Sequence, residues 1–241
     1  ALLFAELCEQ AGIPDGVVNI ITGDGTTGSL IVNHKDINKI AFTGSTQVGK
    51  LIQKSLAGRD VGLTLELGGK AANIVYEDAA IDQAVEGVVN GIFFNQGHVC
   101  CAGSRLLLQE SIHDEFITKL EKRMQTLRVG NPLDKNTDIG AVNSKEQLNK
   151  IEELVNEGVS DGGKIFQTEC ELPGNGFWFK PTLFTDVQPS YSIAREEIFG
   201  PVLTTLTFRT PQEAIEIANN TEYGLSAGVW TEKGSKILWT A

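Results

Sequence analysis

No apolar run in this sequence approaches the ~20 residues that a membrane-spanning helix needs, and no signal peptide is evident. Basic residues are scarce. Twenty Lys and Arg stand against 31 Asp and Glu, for a formal net charge of -11. Nucleic acid and anionic membrane surfaces both require a basic footprint, so neither is expected as the main partner. Cysteine is too sparse for a disulfide framework: 241 residues hold four, Cys8, Cys100, Cys101 and Cys170, and the adjacent pair is poorly placed to bridge. A reducing, cytoplasmic setting is the simplest reading. No CxxC or HxxxH occurs, so the spacings do not suit zinc, and no metal is expected. Repeats, low-complexity tracts and long linkers are also missing.

What remains is an ordinary globular composition with ample apolar content for one large domain or two smaller ones. Ala1 to Gly12 reads as the interior and end of an amphipathic helix without an N-cap, and Ser235 to Ala241 as a stretch without a stop signal. Both ends read as cut, as in a segment of a longer protein. Strand-like runs over Gly16–Ile21, Ile37–Phe42 and Leu63–Leu67 alternate with helical patterns, one of them carrying Val48, Leu51, Ile52 and Leu56. From Lys70 onward, strands over Ala72–Tyr76 and Arg105–Gln109 flank a helix over Ile81–Phe94. Ser111 with Asp114 reads as a capping box ahead of Ile112, Phe116, Leu120 and Leu127. A helix near Ser144–Glu157, strands near Lys164–Gln167 and Val202–Phe208, and a helix over Pro211–Asn220 follow. The pattern is α/β throughout, with a parallel sheet and right-handed crossovers.

Four places could carry chemistry. Gly23-Asp24-Gly25-Thr26-Thr27-Gly28 matches G-x-G-x-x-G between a strand and a helix, yet no acidic residue ends a strand about 20 residues later, so a plain βα turn fits equally well. Thr43-Gly44-Ser45-Thr46 is a second such turn, with Ser45 suited either to cap a helix or to face an anion. Cys100 follows a glycine-containing break, where a thiolate could act as nucleophile with backbone N–H groups nearby for an oxyanion. An inert cysteine is the alternative, and His98 invites a Cys–His dyad although an extended loop would keep them apart. Glu66 ends an apolar strand; burial there would raise its pKa and suit it as a base, whereas exposure on the alternate face would not.

Together these segments resemble the aldehyde dehydrogenase superfamily. Phe42-Thr43-Gly44-Ser45-Thr46-Gln47-Val48-Gly49 is similar to its cofactor-binding turn, and Leu65-Glu66-Leu67-Gly68-Gly69-Lys70 to its glutamate signature. Phe94-Asn95-Gln96-Gly97 through Cys100-Cys101-Ala102-Gly103-Ser104-Arg105 is similar to its cysteine signature, with His98 and Val99 where many members carry a polar residue and another cysteine. Glu196–Val202 and Asn219–Leu225 resemble two downstream blocks. The resemblance implies a Rossmann-like NAD(P)-binding part over residues 1–68 and an α/β catalytic domain over 69–241. It implies oxidation of a small-molecule aldehyde to the carboxylic acid with NAD or NADP, with Cys100 as nucleophile and Glu66 as general base. Ser45 would meet the pyrophosphate, with Thr43, Gly44, Gly49 and Leu67 as further cofactor contacts. Glu197 would hydrogen-bond the nicotinamide ribose, and Phe199 would pack beside it. The presence of Glu66 favours hydrolysis over transfer to coenzyme A. The intact parent is expected to be a homo-oligomer, dimer or tetramer. A non-catalytic scaffold and a nucleotide-independent cysteine esterase are the alternatives.

Overall fold

The computed structural model describes residues 1–241, and the chain divides into two compact units, Ala1–Leu67 and Gly68–Ala241. No helix is long and apolar enough to cross a membrane.

The first unit runs α1 (Leu2–Gln10), α2 (Gly25–Asn33), β1 (Lys39–Thr43), α3 (Thr46–Leu56), β2 (Gly62–Glu66). β1 and β2 pair in parallel, with Thr43 opposite Glu66. Ile52 and Leu56 of α3 cover Ile40 of β1 in a small core. Val48 and Leu51, predicted on the same stripe, are exposed, because a two-stranded sheet offers too little surface to bury the whole stripe. The strand expected over Gly16–Ile21 does not form. Gly16 turns the chain at φ +82°, and no other strand supplies a ladder for Val17, Val18 or Ile21, which are exposed.

The second unit contains β3 (Ala72–Val75), α4 (Ile81–Phe93), β4 (Arg105–Gln109), α5 (His113–Met124), α6 (Lys145–Ser160), β5 (Lys164–Gln167), β6 (Thr182–Thr185), α7 (Ser192–Arg195), β7 (Val202–Phe208), α8 (Pro211–Asn219), β8 (Ala227–Trp230) and α9 (Gly234–Thr240). Its six strands lie in the order β5-β6-β7-β4-β3-β8, parallel except for the edge strand β5. Side chains alternate between two covered faces. Leu106 and Leu108 of β4 join Val85, Val88 and Phe116 of α4 and α5 on one face. Leu107 joins Ala214 of α8 on the other, where Phe184 and Val202 also meet Leu154 and Val155 of α6. Burial on both faces explains why β4 reads as an unbroken apolar run, Leu106-Leu107-Leu108.

The predicted capping box is absent. Ser111 lies in a 3-10 turn over Glu110–Ile112, its Oγ donates to Glu77 Oε2 (2.9 Å), and α5 begins only at His113. There the Ser111 hydroxyl serves as donor to a charged acceptor, and it accepts from no N–H of α5.

Strands β3, β4, β7 and β8 are mutually parallel, with Ala72 opposite both Arg105 and Ala227, and Arg105 opposite Thr204. The segments just before them therefore meet at one sheet edge: Gly68–Ala71, Cys100–Ser104, Glu197–Pro201 and Tyr223–Ser226. This is the amino-terminal edge, opposite to the edge where open α/β sheets usually bind ligands.

Candidate active site

In the first unit, two strand-to-helix turns competed in the sequence, and their helix N-termini differ. At α2 the Asp24 carboxylate accepts from Thr26 and Thr27 N–H at 2.9 and 3.3 Å. Those hydrogen bonds, Thr27 first, hold its pKa below the usual carboxylate value. The helix end already carries an anion, so the G-x-G-x-x-G match is a capped turn. At α3 the cap is neutral: Ser45 Oγ accepts from Val48 N–H (3.3 Å), with no acidic residue in the first turn. Its leading N–H groups are free to meet an anion.

That turn lies beside the strand end bearing Glu66. Gly44 N–H donates to the Glu66 carbonyl (3.0 Å), and Gly49 packs so tightly on the Leu67 side chain that an added Cβ would sit 2.5 Å from Leu67 Cδ2. Thr43, Gly44, Ser45, Gly49, Glu66 and Leu67 thus form one cluster. Glu66 itself is exposed, on the face it shares with Gly62 and Thr64, so the alternate-face reading of its position is the one found in this unit.

In the second unit, Cys100 and Cys101 occupy the two corner positions of a turn closed by Ala102 N–H to Val99 O (3.0 Å). The loop leading into it is unusual. Asn95, Gln96 and Gly97 are all left-handed, at φ +49°, +47° and +75°. Asn tolerates this region, and its side chain and backbone both close onto His98. Gly97 has a second constraint, since a Cβ there would lie 2.1 Å from the Gly200 carbonyl oxygen.

The turn of Gly68 and Gly69 lies between two of the predicted site residues. A Cβ on Gly69 would be 2.2 Å from the Cys100 carbonyl oxygen, and one on Gly68 would be 2.3 Å from Glu197 Oε2. Gly69 N–H donates to Glu197 Oε1 (3.0 Å). Phe199, left-handed at φ +54°, stacks on His98 with centroids 5.2 Å apart and planes at 13°. The second unit therefore brings Cys100, Glu197 and Phe199 around one double-glycine turn.

His98 does not serve Cys100. Its ring faces Phe199, its Nδ1 meets Gln96 Nε2 (3.3 Å), and its buried Nε2 has no partner. Burial holds its pKa below the ordinary histidine value, so the ring is neutral near pH 7. The Cys–His dyad does not form.

Three residues that sequence reasoning passed over support this site. Gln147, on α6, donates from Nε2 to the carbonyls of Ile198 (2.8 Å) and Phe199 (3.1 Å). Buried Lys70 donates from Nζ to the Ile193 carbonyl (2.9 Å), and buried Arg105 from Nε to the Lys70 carbonyl (2.8 Å). Burial first, then the nearby Arg105 charge, lowers the Lys70 pKa to about 7. The available signal was a cation at the start of each of two apolar strands, Lys70 before β3 and Arg105 opening β4, since buried cations need partners.

The family model for the aldehyde dehydrogenase family matches residues 1–241. The chain belongs to the aldehyde dehydrogenase family. It is 48% identical over 244 aligned positions to retinal dehydrogenase 2 of Taeniopygia guttata, a match covering 99% of this chain and 46% of that protein. Among solved structures, an NAD-dependent aldehyde dehydrogenase from Sinorhizobium meliloti superposes with a TM-score of 0.96 at 41% identity, over 99% of this chain and 48% of that one. An NAD+ complex of a Bacillus cereus aldehyde dehydrogenase gives 0.95 at 41% identity, over 99% and 49%. The chain thus spans about half the length of the aldehyde dehydrogenases it matches, and the α/β fold with its parallel sheet is that of the family.

Proposed function

We propose that the protein oxidises a small aldehyde to the carboxylic acid with NAD+ or NADP+, using Cys100 as nucleophile and Glu66 as general base. The observation that carries this reading is the Val99–Ala102 turn. It places Cys100 at a corner, its carbonyl packed on Gly69 and its N–H without a partner in the chain, on the same double-glycine turn that receives the Glu197 carboxylate. NAD+ is the acceptor supported by the names of the S. meliloti and B. cereus relatives. The donor set of this chain suits a dinucleotide: an uncharged helix N-terminus at Ser45 for the pyrophosphate and the Glu197 carboxylate for a ribose hydroxyl.

Cys100 Sγ, as thiolate, adds to the aldehyde carbon, and the carbonyl electrons move to oxygen, where the Cys100 N–H can hold the oxyanion. A nicotinamide dinucleotide held by Ser45 and Glu197 would supply the two-electron acceptor for the hydride of that carbon. Cys100 then holds the acyl group as a thioester. Glu66 takes a proton from water, the oxygen of that water attacks the acyl carbon, and the carbon–sulfur bond breaks to return the thiolate and release the acid. Glu66 takes this role from the family resemblance, at the end of β2 beside the Thr43–Ser45 turn. Residues 1–67 would bring the phosphate-side contacts Thr43, Gly44, Ser45, Gly49 and Leu67; the second unit would bring Cys100, Glu197 and Phe199. The four free thiols agree with a reducing compartment such as the cytoplasm, and a homo-oligomer is the expected assembly.

Aldehyde-dependent NADH formation and p-nitrophenyl acetate hydrolysis, measured side by side, test this reading. NADH formation should fall by roughly 10⁴-fold or more in Cys100→Ala, the scale of losing a covalent nucleophile. Ester hydrolysis without NADH formation in the unsubstituted protein would instead support a cysteine esterase.

A further inference from the structure

Lys70 is only 2% exposed, yet its hydrogen-bond partner is a backbone carbonyl, not a carboxylate. Burying an ammonium is costly, and its retention in an apolar interior calls for a reason. The partner carbonyl belongs to Ile193, the second residue of the four-residue helix α7. The last four carbonyls of a helix have no donor inside it, and Lys70 Nζ supplies one to Ile193. Four residues later comes Glu197, and one residue before Lys70 is Gly69, whose N–H holds Glu197 Oε1. The two strands of chain are therefore tied twice, by Lys70 Nζ to Ile193 O (2.9 Å) and by Gly69 N to Glu197 Oε1 (3.0 Å).

The Lys70 end of this tether is itself anchored. Arg105 donates from Nε to the Lys70 carbonyl (2.8 Å), and from Nη1 and Nη2 to the carbonyls of Ile217 (3.0 Å) and Ala218 (2.8 Å) at the end of α8. We propose that Lys70 is a positioning residue for nucleotide binding, its Nζ donor holding the segment that carries Glu197 against the Gly68–Gly69 turn. Oε1 of Glu197 is thereby committed to Gly69, and Oε2 is left to accept from a ribose hydroxyl. The proposal rests on the reading of Glu197 as a ribose ligand given above.

A double-substitution cycle on the protein, with Lys70→Met, Glu197→Gln and both, tests it through the nucleotide KM at saturating aldehyde. Lys70→Met should raise KM for NAD+ by about tenfold with Glu197 present, and by less than about twofold in the Glu197→Gln background, since coupled residues are not additive. The same factor in both backgrounds, or an unchanged KM, would overturn the proposal. Should Lys70→Met not fold, Lys70→Gln enters the same cycle, with the same two outcomes. Amide hydrogen exchange without nucleotide reads the tether directly. Residues 193–199 should exchange faster in Lys70→Met while α5 is unchanged, and equal exchange in the two proteins would refute the tether. If the unsubstituted protein shows no NAD+-dependent turnover, the proposed function fails, while the exchange result still decides whether Lys70 holds the segment.

Discussion

Gly69 shows how a single missing side chain shapes the site. Its α-carbon lies so close to the Cys100 carbonyl oxygen that a methyl group would sit 2.2 Å away, and that oxygen is backbone, which cannot swing aside. Gly69→Ala should therefore push on the Cys100 turn itself. We expect a loss of about 1–3 kcal/mol in urea unfolding, the usual cost of overpacking, together with an altered rate of Cys100 alkylation by iodoacetamide. Unchanged stability and alkylation would show that the turn has slack. Cys100, Glu66, Ser45 and Glu197 stood out in the sequence as candidates because each stands in a local run with a shape of its own. Gln147 did not, because its two acceptors lie 51 and 52 residues away and nothing in Lys145–Ser160 marks one glutamine among its polar face. Lys70 was visible only as the end of a motif; its burial comes from the packing of α7 and α8 around the starts of β3 and β4.

At the level of elements, helices were read well where an apolar stripe recurs at helical spacing, as with Val85, Val88, Val89 and Ile92 of α4. The helix expected near Ser144–Glu157 is α6, and Ser144 caps it by accepting from Gln147 N–H at 3.1 Å. This cap bears on the site, since Gln147 side chain holds the Phe199 loop. Ser144→Ala should cost about 1 kcal/mol in denaturant unfolding, the typical value of an N-cap. Because the cap fixes the first turn of α6, the same substitution should also raise the nucleotide KM, and a stability loss with unchanged KM would separate the cap from the loop. Two elements were misread for one reason: Gly16–Ile21 has strand composition without a partner strand, and Ser111 has cap composition but its hydroxyl donates to Glu77 while α5 starts at His113. Local sequence reports what a segment prefers, and partners decide what it gets. The convergence of four segments on the amino-terminal edge of the sheet lies beyond local reading altogether, since it depends on strand order.

For the molecule as a whole, the buried Lys70 ammonium makes a testable demand on pH. Its folded pKa, about 7, lies below the ordinary value of 10.5. Between those values the unfolded chain binds the extra proton, so stability rises with pH across this window; below pH 7 the burial penalty is present in full. Urea midpoints at pH 7 and pH 9 should therefore climb more in the unsubstituted protein than in Lys70→Met, and equal changes would contradict the assigned burial. The chemistry at Cys100 is tested most directly by one measurement. Glu66→Gln keeps the nucleophile but removes the proposed base for deacylation. Incubated with aldehyde and NAD+, this variant should release about one NADH per site in a burst and then show, by mass spectrometry of its peptides, the acyl group on Cys100. Steady turnover with no acyl mass on Cys100, or the acyl group on Cys101 instead, would contradict the account.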